Sequence, residues 1–122
     1  MAYTIELDNS REIVNVIYNG TVSLDMRKQA VEQVCNEHGA FKPLRILVDV
    51  RELIMDLTFE EQHAFGEYLA NHRGLNHARV AVLHKSDFNP NVVIDSSAYN
   101  NGYLLAQFSN QYDAEMWLLN KI

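Results

Sequence analysis

Two uninterrupted apolar runs constrain the fold more than any other feature of the sequence. Residues 45–50 read Arg-Ile-Leu-Val-Asp-Val, and residues 78–84 read Ala-Arg-Val-Ala-Val-Leu-His, without a regular alternation of polar and apolar side chains. Strands that helices cover on both faces have this pattern, and such strands belong to parallel sheets. The segment between the two runs has apolar side chains at helical spacing, which predicts a crossover helix.

Local signals predict the bounds of this crossover helix. Thr58 and Glu61 match a capping box, in which a hydroxyl and a carboxylate each bind the other residue's backbone N–H. Gly74 is the expected end of the helix. Its core side chains should be Phe65, Tyr68 and Leu69.

The flanking segments complete the order of elements. Residues 3–8 alternate apolar and polar side chains, and residues 12–18 are rich in Val and Ile, which predicts an antiparallel hairpin that ends at Asn19-Gly20. A helical stripe follows from Ser23 to Gly39. Further elements are a helix from Asn89-Pro90 to about Asn101, a strand over residues 103–108 and a helix over residues 110–119.

The resulting order, β-β-α-β-α-β-α-β-α, predicts an α/β domain with a mixed, mostly parallel sheet of about five strands, an N-terminal antiparallel hairpin and four helices. A chain of 122 residues is typical of one domain, so residues 1–122 are expected to form a single unit.

Composition excludes several functional classes. Sixteen acidic and ten basic residues give a net charge of −6, which argues against nucleic acid as a partner. Cys35 is the single cysteine, so no internal disulfide is expected. The N-terminal sequence lacks the pattern of a signal peptide, and the apolar runs are too short to insert stably into a membrane. A cytoplasmic protein is the expectation.

Three segments resemble the STAS domain superfamily, specifically the SpoIIAA-like group related to anti-sigma-factor antagonists. Residues 45–53 form a hydrophobic strand that ends in Asp and precedes a loop with a buried Leu. Residues 56–59, Asp-Leu-Thr-Phe, stand where antagonists carry Asp-Ser-Ser/Thr-Gly before a helix. Residues 108–118 are similar to the closing pattern of the family, a strand Phe, a polar turn and a helix leading to Trp-Leu.

The resemblance implies a domain, usually without catalysis, that acts by protein contact or by sensing a small ligand, and no cofactor is expected. The leading expectation is therefore a non-enzymatic regulatory or scaffolding domain whose contact or anion site includes Asp56, Thr58 and Phe59. In the antagonists a partner kinase phosphorylates a hydroxyl at this helix start, and Thr58 is the matching position. The sequence departs from the family where Leu57 replaces the first hydroxyl and Phe59 replaces the glycine.

Thr58 also has a chemical interpretation that does not depend on the family. A helix N-terminus collects unpaired backbone N–H groups and can bind an anion or a phosphate. The alternative is that Thr58 caps the helix through the Glu61 amide. Glu60 and Glu61 add negative charge at the same end, so the cap is the favoured prediction.

A second candidate site follows from sheet geometry, because ligands of open α/β sheets bind beyond the carboxyl ends of the strands. Asp49 ends one predicted strand, and His84 and Ser86 follow another. A small hydrolase or transferase with His84 as base is the corresponding enzyme hypothesis. The alternative is that Asp49 binds loop amides and His84 shapes a turn, and the absence of a nucleophile motif favours it.

Aromatic side chains predict a third site. Phe88, Tyr99 and Tyr103 surround a polar loop, and a cleft near residues 87–103 could bind a small apolar molecule or a lipid. Ordinary core and edge packing is the alternative. The string Asp95-Ser96-Ser97-Ala98 copies the antagonist motif but lies inside a predicted helix, so we interpret it as coincidence. The histidines have no metal-binding spacing, so no metal is expected. The strand at residues 3–8 or the aromatic segment could form a homodimer.

Overall fold

The computed structural model describes residues 2–121. Its five-stranded sheet has the order β1-β2-β3-β4-β5, in which β1 and β2 are antiparallel and all other neighbours are parallel. The strands are β1 (Tyr3–Asp8), β2 (Ile13–Thr21), β3 (Leu44–Ile54), β4 (Ala78–Leu83) and β5 (Leu105–Phe108). The predicted fold class, with an N-terminal hairpin and four helices, is confirmed.

Helices cover both faces of the sheet. They are α1 (Leu24–His38), α2 (Phe59–Asn71), α3 (Val92–Asn100) and α4 (Gln111–Leu118), with a short 3-10 helix at Arg73–Leu75. Helices α1 to α3 pack on one face, and α4 packs on the other. Neighbouring residues of β3 therefore both become buried, Ile46 under the three helices and Leu47 under α4. This two-sided burial explains the uninterrupted apolar runs.

Some predicted boundaries were wrong. Strand β2 continues through Asn19 and Gly20, because Gly20 has a φ of +67° and the register with β3 shifts just before it. A bulge thus bends the strand without ending it. Helix α2 ends at Asn71, before Gly74, and α3 begins at Val92 rather than at Pro90.

Two arginines attach α4 to the sheet. Arg45 Nε–H donates to the carbonyl of Leu118, and Arg79 Nε–H donates to the carbonyl of Trp117, each at 2.9 Å. The Arg79 guanidinium also stacks 3.8 Å from the centre of the Trp117 ring. Both carbonyls lie at the C-terminal end of α4, and that of Trp117 also accepts from the Asn120 N–H at 3.1 Å. Trp117 is thus half-buried beneath Arg79, whereas Ala114 and Leu118 are fully buried.

Helices α2 and α3 approach each other closely at Gly66. A methyl group at this position would lie 2.5 Å from Ser97 Cβ and 2.8 Å from the carbonyl oxygen of Ile94. The Ser97 hydroxyl donates to the carbonyl of His63 at 2.9 Å. The absence of a side chain at Gly66 therefore sets the distance between the two helices.

Candidate functional site

A cavity of about 50 Å³ lies between the sheet and helices α1 to α3. Most of its lining is apolar, with side chains from β2, β3, β4 and β5 below and from α1 and α2 above. Two charged side chains, Arg27 and Asp95, also line it, and each is only 1% exposed. Buried charges are uncommon without a partner of opposite charge, so this cavity is the most unusual feature of the core.

Arg27 lies one turn into α1, near the carboxyl end of β2. Ser23 caps this helix by accepting from the Met26 N–H at 3.2 Å, and the Arg27 guanidinium lies 5.5 Å from the centre of the Tyr18 ring on β2. Its Nε–H donates to the Val22 carbonyl at 3.2 Å and its Nη1–H to Asn91 Oδ1 at 3.3 Å. Burial lowers the pKa of the Arg27 guanidinium below its usual value.

Asp95 lies in the first turn of α3, four residues after Asn91. Its carboxylate accepts from Asn91 Nδ2 at 2.8 Å, from Gln107 Nε2 at 2.9 Å and from Asn89 Nδ2 at 3.0 Å. Burial raises the pKa of Asp95, whereas these amide bonds oppose the rise because they favour the carboxylate. Three neutral donors thus solvate a buried acid.

Asn91 joins the two charged groups. Its oxygen accepts from Arg27 and its nitrogen donates to Asp95. The flipped amide would place a donor against the Arg27 donor and an acceptor against the Asp95 carboxylate, so only this orientation satisfies both residues. Neither Arg27 nor Asp95 takes part in an ion pair with any residue in the range 2–121. The cavity therefore has a cationic and an anionic group that one amide separates.

The enzyme hypothesis required Asp49 and His84 to share a cleft. Asp49 follows Val48 and so faces the α4 side of the sheet, where Arg51 binds both of its oxygens, at 2.7 and 3.0 Å. His84 Nδ1–H donates to the Lys85 carbonyl at 2.6 Å, and Ser86 is exposed in the following loop. Asp49 and His84 thus have separate hydrogen-bond partners.

The three aromatic cleft residues lie in different environments. Tyr103 is buried and lines the same cavity as Arg27 and Asp95. Tyr99 is 63% exposed and lines a surface groove of about 310 Å³ between α3 and β5, together with Asp95 and Gln107. Phe88 is 64% exposed in the loop after β4. One of the three therefore lies inside the molecule and two lie at its surface.

The start of α2 has the predicted capping box. Thr58 Oγ1 accepts from the Glu61 N–H at 3.1 Å, and Glu61 Oε1 accepts from the Thr58 N–H at 2.9 Å. Phe59 is 63% exposed, and its ring centre lies 5.2 Å from that of His63. Both rings border a groove of about 220 Å³ that α3 closes with Val92, Val93 and Ser96 among others.

The sequence interpretation did not select Arg27, Asn91 or Asp95. Arg27 precedes Ala30 and Val34 by three and seven residues, so it lies on the buried stripe of α1. Asn91, just before α3, and Asp95, in its first turn, are four residues apart and both buried. A charged residue at the spacing of the buried apolar residues of a helix was the sequence signal that could have identified this site. Asp95 belongs to the string that was interpreted as coincidence.

Comparisons of the chain with protein-family models, with curated proteins and with solved structures give no match. Within residues 2–121, no group of three or more His, Cys, Asp or Glu side chains is arranged to hold a metal ion. No helix in the same range is long and apolar enough to cross a membrane.

Proposed function

We propose that this chain is a non-enzymatic, STAS-like regulatory or scaffolding domain that acts by binding a protein at the start of α2. The observation that carries the proposal is the exposure of Phe59, the first residue of that helix. We define the α2–α3 surface as Phe59, His63, Val92, Val93 and Ser96.

The α2–α3 surface has the form of a small docking site. Phe59 and Val92 are 63% and 49% exposed, and a groove lies between their helices. Burying apolar area stabilises a complex by roughly 25 cal/mol per Å², and aromatic side chains often contribute most of the binding energy at interfaces. A partner that covers Phe59 would thus gain affinity from a side chain that the isolated domain leaves in water.

Charge specifies the partner further. Asp56 and Glu60 are exposed on either side of Phe59, and no Lys or Arg occurs between Glu52 and Gln62. A complementary partner is a protein segment with an apolar anchor for the groove and flanking Lys or Arg for the carboxylates. A second copy of this acidic surface would be repelled.

The capping box supports contact rather than a phosphate switch. The Thr58 hydroxyl already accepts from the Glu61 amide, and Glu61 returns the bond to the Thr58 amide. A phosphate on Thr58 would break this pair of bonds and would stand beside Glu60 and Glu61. We therefore propose that regulation at this surface depends on the presence of the partner and not on phosphorylation of Thr58.

Affinity capture from native lysate tests the proposal, with partners quantified for the wild type, Phe59→Ala and Tyr112→Ala. Tyr112 is 66% exposed on α4, on the opposite face of the sheet, so it controls for loss of an exposed aromatic ring. We expect Phe59→Ala alone to lose a partner that contains basic residues next to an apolar anchor. Equal recovery of every captured protein by all three variants would refute the proposed surface.

A further inference from the structure

We propose that the cavity at Arg27 and Asp95 is a binding site for a small zwitterion, specifically a free α-amino acid of the size of glycine or alanine. The carboxylate of the ligand would bind Arg27, and its ammonium group would bind Asp95. This site is separate from the α2–α3 surface and does not depend on the proposed protein contact.

The first argument is the unmatched charge on Arg27. A guanidinium has five N–H donors. Arg27 contacts the Val22 carbonyl, the Asn91 side-chain oxygen, the Tyr18 ring at 5.5 Å and, at 3.9 Å, the Met55 sulfur, all of them uncharged. Asp56 attracts it only from beyond ion-pair distance. A buried charge without a counter-ion is costly, and a carboxylate is the partner that matches a guanidinium best.

The second argument is the position of Asp95 on the same cavity. Its three hydrogen-bond donors are neutral amides, and His84 is near enough to act on its charge but forms no ion pair with it. Asn91 shows the polarity that a ligand must have, with an acceptor toward Arg27 and a donor toward Asp95. A free amino acid has the same polarity with full charges, because its carboxylate accepts and its ammonium donates. It would neutralise both buried groups, whereas a simple anion would neutralise only Arg27.

The third argument is size. A cavity of about 50 Å³ has room for roughly four water molecules at about 10–15 Å³ each. An acyl chain or a nucleotide would not fit, since sites for such ligands typically enclose at least about 300 Å³. Glycine and alanine have about five or six non-hydrogen atoms, which matches this volume. The apolar walls, among them Val16, Val82 and Phe65, would face the methyl group of alanine.

The cavity also lies next to a surface groove. Asp95 and Leu105 line both the cavity and the surface groove between α3 and β5. These two side chains are therefore the wall that separates the site from water. A small movement of α3 relative to β5 would open the cavity.

Isothermal titration calorimetry of the full chain tests the proposal with glycine, alanine, acetate and methylammonium. We expect saturable binding of glycine or alanine, and binding of acetate and of methylammonium at least about tenfold weaker, because each provides only one of the two charges. Absence of binding by both amino acids would overturn the proposal. Acetate that binds as tightly as alanine would also overturn it and would indicate a simple anion site.

Variants assign the two contacts. Arg27→Met and Asp95→Asn should each weaken alanine binding at least about tenfold. Lys28→Met also replaces a basic residue of α1 with Met, one position further along, and should bind alanine as the wild type does. If Arg27→Met does not fold, the nearly isosteric Asp95→Asn retains the test, with circular dichroism as the check on folding. Unchanged affinity in folded Asp95→Asn would refute the ammonium contact. Phe59→Ala should bind alanine normally, so this result is independent of the protein-contact proposal.

Discussion

Replacing Gly66 with Ala should destabilise the protein, although the same change stabilises most helices. A methyl group at Gly66 would lie 2.5 Å from Ser97 Cβ, 2.6 Å from Ser97 Oγ and 2.8 Å from the Ile94 carbonyl oxygen. The Ser97 hydroxyl can rotate, but Ser97 Cβ and the Ile94 carbonyl oxygen are fixed by the backbone of α3 and cannot move aside. Helices α2 and α3 must therefore separate.

Two opposing terms determine the size of the effect. An Ala in a helix interior is more favourable than a Gly by about 1 kcal/mol. Inserting a methyl group into filled space costs about 1–3 kcal/mol, and three contacts below van der Waals distance place Gly66→Ala near the upper value. We expect a net loss of about 2 kcal/mol in the free energy of unfolding, which lowers Tm by about 8 °C for a domain of this size.

Urea unfolding followed by circular dichroism measures this loss. Ala64→Gly is the matched control, because Ala64 is exposed on the same helix and the change reverses the propensity term without touching α3. In this control the free energy of unfolding should fall by about 1 kcal/mol. The two losses added together then give the packing cost at Gly66, about 3 kcal/mol. An increase in stability on Gly66→Ala would refute the close approach of the two helices.

Three further predictions concern a helix cap and buried acids. Thr58→Ala should lower the free energy of unfolding by about 1 kcal/mol because Glu61 loses its bond; an unchanged urea midpoint would contradict the cap. Burial raises the pKa of Tyr18 and of Tyr68 to about 12, whereas tyrosine in an unfolded chain ionises near 10. The free energy of unfolding should therefore fall as pH rises above about 10, and it should fall less steeply in Tyr18→Phe. Burial also raises the pKa of Asp95, so its contribution to stability should decrease as pH rises from about 4, and Asp95→Asn should remove that dependence in unfolding measured against pH.

The sequence predicted the order of elements because each element has a local cause. Uninterrupted apolar runs identify strands that are covered on both faces, and the Thr58 hydroxyl with Glu61 marks a helix start that local bonds alone create. The predicted ends of helices and strands were wrong where tertiary contacts determine them. Strand β2 passes through Gly20 because pairing with β3 continues beyond the bulge. Helix α3 begins only after Asn91, whose side chain donates to the Asp95 carboxylate and does not cap the backbone N–H groups of the helix.

The candidate sites depend on which side chains from distant segments meet, and no local pattern contains that information. The rule that ligands bind at the carboxyl edge of a parallel sheet led to Asp49 and His84, yet the cavity with the two buried charges, Arg27 and Asp95, lies between the face of the sheet and the helices. Arg27 and Asn91 are 64 positions apart in the chain, and only the folded structure brings them together.

Photocrosslinking in cells tests the central claim most directly. A photoreactive phenylalanine analogue is introduced in place of Phe59 and, as the control, in place of Tyr112 on the opposite face. The proposed contact surface predicts that the probe at Phe59 forms a discrete crosslink to a protein whose attached segment has Lys or Arg beside an apolar residue, and that the probe at Tyr112 does not. The same crosslinks from both positions, or none from the probe at Phe59, would contradict the proposal.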